Sequence, residues 1–220
     1  VVRTPGVRLA VTSAALLLAW AAVAFTPQIR SLDLWITRWV QGYAARPLDI
    51  ALSLISLLGN VEVDAVLALL VGMVRVRSGN GHVAPALCIL LVAGTVAEFA
   101  SKQVLPHAAV PRAFRRAGLN PTHHLFPTRY GFPSGHAFRT LFLAGALWPA
   151  LKRGRLLWGV PVVAATAGVQ VGLVYLGDHW TSEVIAGDLL AGICLGLLEA
   201  LRSTGRDAAR PFGVRVRRSD

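Results

Sequence analysis

GFPSGHAFRT, residues 131–140, is the stretch on which the reading of this chain turns. Pro133 closes a loop, Ser134 offers the oxygen of a good helix N-cap, and Gly135 has no side chain to keep a ligand from the backbone. His136 and Arg139 then stand one helical turn apart at the head of an apolar run that reaches Leu151. The first N–H groups of such a helix leave its end together with the positive pole of the helix dipole, an anion cradle. A histidine in that first turn is placed to donate a proton. An arginine this far into an apolar run needs a partner, and the rest of the sequence has to say which.

Those surroundings are apolar throughout. Of 220 residues, 55% are hydrophobic and only 15% charged, against roughly 25% charged in soluble domains; the mean hydropathy is +0.57. Six stretches approach the roughly 20 residues that cross a bilayer as a helix: Leu9–Phe25, Val61–Val76, Val83–Leu105, His136–Leu151, Leu156–Leu176 and Thr181–Leu201. The expected fold is an all-α integral membrane protein, one six-span domain over residues 1–205 with a basic tail over 206–220. Between the first two spans, Trp35, Trp39 and Tyr43 recur among charges. That pattern predicts an interfacial helix, then a half-buried one broken near Gly59-Asn60. The first apolar run exceeds the roughly 7–15-residue core of a signal peptide and reads as a retained span.

The net charge of +11 would suggest nucleic acid in a soluble protein. Here the basic residues gather in short loops, as membrane topology requires, and no basic-aromatic surface pattern accompanies them. Arg3, Arg8, Arg75, Arg77, Lys152, Arg153, Arg155 and the tail from Arg202 fall on one side of a six-span chain, so both termini are expected in the cytoplasm. Arg112, Arg115, Arg116 and Arg129 lie in a long loop on the other side and ask for a different explanation. Cys88 and Cys194 sit inside apolar runs without metal-ligand spacing and read as small hydrophobes.

Three polar clusters converge on the expected outer face: Lys102 near the end of the third span, the Pro-Ser-Gly-His at 133–136, and YLGDHWTSE at 175–183. In the last, His179 and Glu183 are four apart and share a helix face. A carboxylate that holds one imidazole nitrogen fixes the tautomer and leaves the other nitrogen free to attack. Asp178 points elsewhere on such a helix and reads as a cap.

These residues resemble the type 2 phosphatidic acid phosphatase superfamily, which also contains lipid phosphate phosphatases and vanadium haloperoxidases. Its pattern is Lys-x6-Arg-Pro, then Pro-Ser-Gly-His, then Ser-Arg-x5-His-x3-Asp. Pro133-Ser134-Gly135-His136 matches fully, Lys102 fits the first-motif lysine, and His179 the last-motif histidine, with Glu183 where the family has Asp. By that resemblance His179 forms a phosphohistidine, His136 protonates the leaving alcohol and Glu183 orients His179. Two departures stand out. The first-motif arginine falls on Ala109, with Arg112 three residues on and Arg115 or Arg116 beyond it; the last-motif Ser-Arg falls on Gly172 and Leu173. Arg139, on the same face as His136, is expected to take over the missing grip, since a bidentate hold on phosphate would offset the cost of placing it in a span.

The expectation is a membrane phosphatase that hydrolyses a lipid phosphomonoester or pyrophosphate at the outer leaflet, with phosphatidic acid, phosphatidylglycerol phosphate and polyprenyl (pyro)phosphates as candidate substrates. His179, His136 and Glu183 would be catalytic; Lys102, Arg112, Ser134, Gly135 and Arg139 would bind phosphate. No cofactor, no metal and no nucleic acid is expected; the partners are the lipid substrate and the bilayer. Two other classes share the pattern. A lipid head-group phosphotransferase would use the same His/His/Glu site, and some transferases that resemble the superfamily lack its Lys and Arg motifs. A non-catalytic lipid-phosphate carrier would bind without labelling His179.

Overall fold

Proline and glycine punctuate the apolar runs, and the helices start and stop where they fall. The computed structural model describes residues 4–116, 128–151 and 155–208. Within them the chain forms α1 (Pro5–Ala24), α2 (Pro27–Gln41), α3 (Arg46–Ser56), α4 (Val61–Arg77), α5 (Ala84–Val104), α6 (Gly135–Leu147), α7 (Val160–Tyr175) and α8 (Thr181–Ala208), with no strand among the described residues. Proline opens α1, α2, α3, α5 and α7, where its missing N–H costs nothing and its fixed φ suits the first turn. The expected break falls at a short 3-10 turn, Leu57–Gly59, and the segments on either side of it are bent by 61°.

Small residues decide how the outer helices meet. Along α1 and α8, which run antiparallel, Gly6 lies against Gly196 and Ala200, Ala10 against Gly196 and Ser13 against Gly192. Backbones that close leave no room for a Cβ, and close van der Waals packing is what joins helices in lipid. In the middle stands α6. Phe138 and Phe142 are fully buried on it, against Leu87 and Leu91 of α5 and Ala191 of α8, and the Phe138 ring fills the space beside Gly94.

Burial in that position explains where the expected span count and the structure part. Among the described residues four helices are long and apolar enough to cross a membrane, Pro5–Ala24, Gly81–Val104, Leu157–Tyr175 and Thr181–Thr204. The bent pair Arg46–Gly59 and Val61–Arg77 makes a fifth if counted as one span. With 13 residues, α6 is about 20 Å long against a hydrocarbon core of about 30 Å. The protein is an integral membrane protein, but its central helix is shielded by its neighbours and need not itself match the bilayer. Most of the expected tail, 209–220, and Lys152 and Arg153 lie outside the described residues; 206–208 belong to α8.

Candidate active site

The C-terminal ends of α5 and α7 and the N-terminal ends of α6 and α8 meet at one end of the bundle. They enclose a cavity of about 440 Å³ lined by Lys102, Arg115, Arg129, His136, His179 and Glu183, among others. That volume suits a small head group.

The start of α8 aligns His179. Glu183 occupies the third helical position, where a carboxylate can reach back to the N-cap N–H, and its Oε2 accepts from the Trp180 amide at 3.2 Å. The same oxygen accepts from His179 Nδ1 at 2.6 Å, so Nε2 is the ring nitrogen left for chemistry. Glu183 is 1% exposed, and Gly131 lies so close to its Oε1 that no Cβ would fit there. Asp33 of α2 completes the cap from outside: Oδ1 accepts from the Ser182 amide at 2.9 Å and Oδ2 from the Ser182 hydroxyl at 2.6 Å. Burial raises the Asp33 carboxyl above its ordinary range, and the two Ser182 hydrogen bonds oppose that shift.

His136 faces His179 with ring centroids 6.4 Å apart. Its Nε2 lies 3.0 Å from the Asn60 amide oxygen, an acceptor, so that nitrogen carries the hydrogen. Asn60 stands at the break before α4, a position that sequence spacing gave no reason to connect with residue 136.

Ser134, Gly135 and Arg139 have other neighbours than the expected phosphate. Ser134 is fully buried, and its hydroxyl accepts from the Ala137 amide at 3.3 Å, an ordinary cap. The space beside Gly135 is filled by Arg139 Nη1 and the Glu98 carboxylate, 2.6 and 2.7 Å from where a Cβ would stand. Arg139 donates from Nε to Asp64 at 2.7 Å, from Nη1 to Glu98 at 3.3 Å and from Nη2 to the Gly59 carbonyl at 2.9 Å. Glu98 in turn pairs with Lys102. The compensation that an arginine needs inside the bundle therefore comes from two carboxylates and a carbonyl, and Arg139 does not line the cavity. Asp64 and Glu98 went unmarked in the sequence because nothing in spacing joins α4, α5 and α6.

The loop after α5 brings its own cations. Gln41 donates to the Phe114 carbonyl at 2.7 Å, the Arg116 amide donates to the Leu176 carbonyl at 2.9 Å, and the Arg116 guanidinium binds Asp49 through two hydrogen bonds of 2.6 and 3.0 Å. Hydrogen bonding to Asp49 raises Arg116 above its already high value. Gly177, at φ +73°, lets the Phe114 carbonyl pass where a side chain would block it. With both neighbours anchored, Arg115 is the loop arginine held at the cavity, and Arg129 joins it; Arg112 is exposed and lies off the lining.

A family model described as the PAP2 superfamily matches residues 84–206, more than half of the chain. The chain belongs to the PAP2 superfamily. It is 32% identical over 142 residues to an undecaprenyl-diphosphatase from Sulfolobus acidocaldarius, an alignment that covers 64% of this chain and 63% of that protein. The chain thus matches somewhat less than two thirds of that curated relative's length. Its fold is that of a transmembrane PAP2-type phosphatidylglycerolphosphate phosphatase from Bacillus subtilis, with a TM-score of 0.70 at 17% identity over 93% of this chain and 98% of that one.

Within the PAP2 pattern, the position where an arginine is expected, Leu173, does line the cavity, and so does Ala109. Ala109 and Leu173 thus present small or apolar side chains to the cavity wall, whereas two loop arginines, Arg115 and Arg129, line the same space. His107, which the sequence did not single out, places Nδ1 2.9 Å from Glu183 Oε1. Its position in the loop, five residues after Lys102, carries no helical or motif signal.

Proposed function

We propose that this PAP2 protein is a lipid phosphate phosphatase that works through a phosphohistidine on His179. The observation that carries the reading is His179 aligned by a buried carboxylate and facing His136 across a cationic cavity. His179 Nε2 attacks phosphorus in line, and the bond from phosphorus to the leaving lipid oxygen breaks as His136 gives that oxygen a proton. His136, now neutral, takes a proton from water, whose oxygen attacks phosphorus, releases inorganic phosphate and frees His179. Lys102, Arg115 and Arg129 hold the charge that develops on the equatorial oxygens, so the scheme calls on no metal.

Membrane topology fits this reading. Arg8, Arg77 and Arg202 lie at the end of the bundle remote from the cavity, the end that the positive-inside rule assigns to the cytoplasm. On this reading the cavity opens at the outer face. Three of the four arginines of the long loop that count against the rule have local reasons to be there: Arg115 and Arg129 serve the cavity, and Arg116 holds Asp49. Since the curated relative acts on undecaprenyl diphosphate, a polyprenyl diphosphate belongs first in the substrate panel, ahead of phosphatidic acid and phosphatidylglycerol phosphate.

The test is phosphate release from that panel by the purified protein beside a His179→Ala control. Release that disappears in the control is the expected result, a loss of at least about 10⁴-fold. Release that survives in the control would sink the phosphohistidine; a new lipid formed without phosphate release would make the protein a transferase.

A further inference from the structure

The carboxylate that aligns His179 is held from two sides. Oε2 of Glu183 belongs to His179 and the Trp180 amide, while Oε1 belongs to His107, which is 7% exposed. A carboxylate only accepts, so His107 Nδ1 donates. On the other side of the ring, Nε2 lies 3.4 Å from the Ser182 hydroxyl, whose proton is directed to Asp33 Oδ2. A continuous path of polar contacts therefore runs from Asp33 on α2 through Ser182 and His107 to Glu183 and His179. The His107 ring is itself wedged between aromatics, with centroids 5.3 Å from Phe25 and 5.6 Å from Phe132. Next to it, a second cavity of about 100 Å³ is lined by Arg30, Asp33, His107 and Trp180.

His107 also belongs to the loop that bears Arg115. Trp180 Nε1 donates to the Ala108 carbonyl at 2.8 Å, so the segment beside His107 is tied to the residue that follows the nucleophile. Loop seating and nucleophile alignment thus meet at one imidazole.

We propose that His107 is a positioning residue for the reaction: by gripping the second oxygen of Glu183 it fixes the carboxylate, and through it His179, in the attacking orientation. The inference rests on the reading of His179 as nucleophile. With His107 absent, Glu183 keeps one side of its grip and can rotate about its terminal torsion, which turns the imidazole away from the line of attack. A misplacement of about 1 Å in a reacting group can cost about 10²-fold in rate.

Two substitutions separate positioning from packing. His107→Phe keeps a ring between Phe25 and Phe132 and removes both ring nitrogens. His107→Asn removes the ring but keeps an N–H where Nδ1 stood. Positioning predicts that Phe loses about 10²-fold in kcat with KM little changed, while Asn stays within about tenfold of wild type. Thermal stability in detergent should rank the other way, Phe above Asn. A Phe variant as active as Asn, or more active, would overturn the proposal. Ser182→Ala leaves the ring and its Glu183 bond in place; a loss of a few-fold in kcat is expected, and full activity would remove Asp33 and Ser182 from the path.

Farnesyl diphosphate serves as the turnover probe. Proton NMR of the purified variants provides a readout that needs no chemistry: the low-field resonance of the His179–Glu183 hydrogen bond should persist in His107→Asn and disappear in His107→Phe. Its undiminished presence in His107→Phe would defeat the inference whatever the activity. Failure to trap phosphate on wild-type His179 would overturn the functional reading and with it the attacking role, while loss of the low-field resonance in His107→Phe would still show His107 fixing the His179–Glu183 pair.

Discussion

Two clusters of buried charge stand side by side at the cavity end of the bundle, and they have opposite designs. Around Arg139, each charged side chain has a partner within the protein: Asp64, Glu98, Lys102 and the Gly59 carbonyl form a chain across α4, α5, α6 and the turn before α4, with only Asp64 Oδ1 left without a hydrogen bond among these described groups. Around Glu183, the carboxylate is fully engaged but one nitrogen of its partner His179 is left over at an open cavity. A closed cluster holds helices in register, because breaking any member exposes an unpaired charge to low dielectric. An open one keeps a ring nitrogen aimed at the cavity, because the groups behind it are held by hydrogen bonds. Lys102 belongs to both, paired with Glu98 behind and lining the cavity in front.

The contrast can be broken from either side. Beyond His179→Ala, which removes the proposed nucleophile, the largest effect on the Arg139 cluster is expected from Arg139→Leu. Removing the guanidinium strands Asp64 and leaves Glu98 with Lys102 alone, at a cost of about 3–5 kcal/mol in stability. A thermal melt in detergent should show it, and a variant that melts like wild type while inactive would return Arg139 to the phosphate. Next comes the open side. Replacing Arg115 and Arg129 together with Ala should lower kcat/KM about 10²-fold with the melting temperature nearly unchanged, since both are exposed and line the cavity. The smallest effect sharpens the assignment: Arg112→Ala should change turnover by no more than about twofold, as for an exposed surface position off the cavity lining. A large loss there would return Arg112 to the phosphate-binding set.

Much of the site was legible in the chain. His179 and Glu183 could be paired because helical spacing puts i and i+4 on one face, and the structure joins them by a 2.6 Å hydrogen bond. Pro133 to His136 announced a capped helix start, and Ser134 caps it. Arg139 was legible as a charge needing an answer, though its answer was not, because Asp64 and Glu98 lie 75 and 41 residues away in sequence. Likewise His107 and Asp33 meet Glu183 and Ser182 only through packing of the loop after α5 and of α2 against the start of α8.

By itself, then, the sequence determined the apolar helices, their order, the breaks at proline and glycine, and the local His–Glu geometry. All of these depend on residues a few positions apart, where backbone stereochemistry and side-chain periodicity leave little choice. Tertiary structure alone decided which cations face the cavity, that α6 is a shielded central helix shorter than a bilayer, and that Glu183 has a second histidine. Those outcomes depend on which distant surfaces pack together, and the burial that makes a charge costly also dictates which partner must answer it.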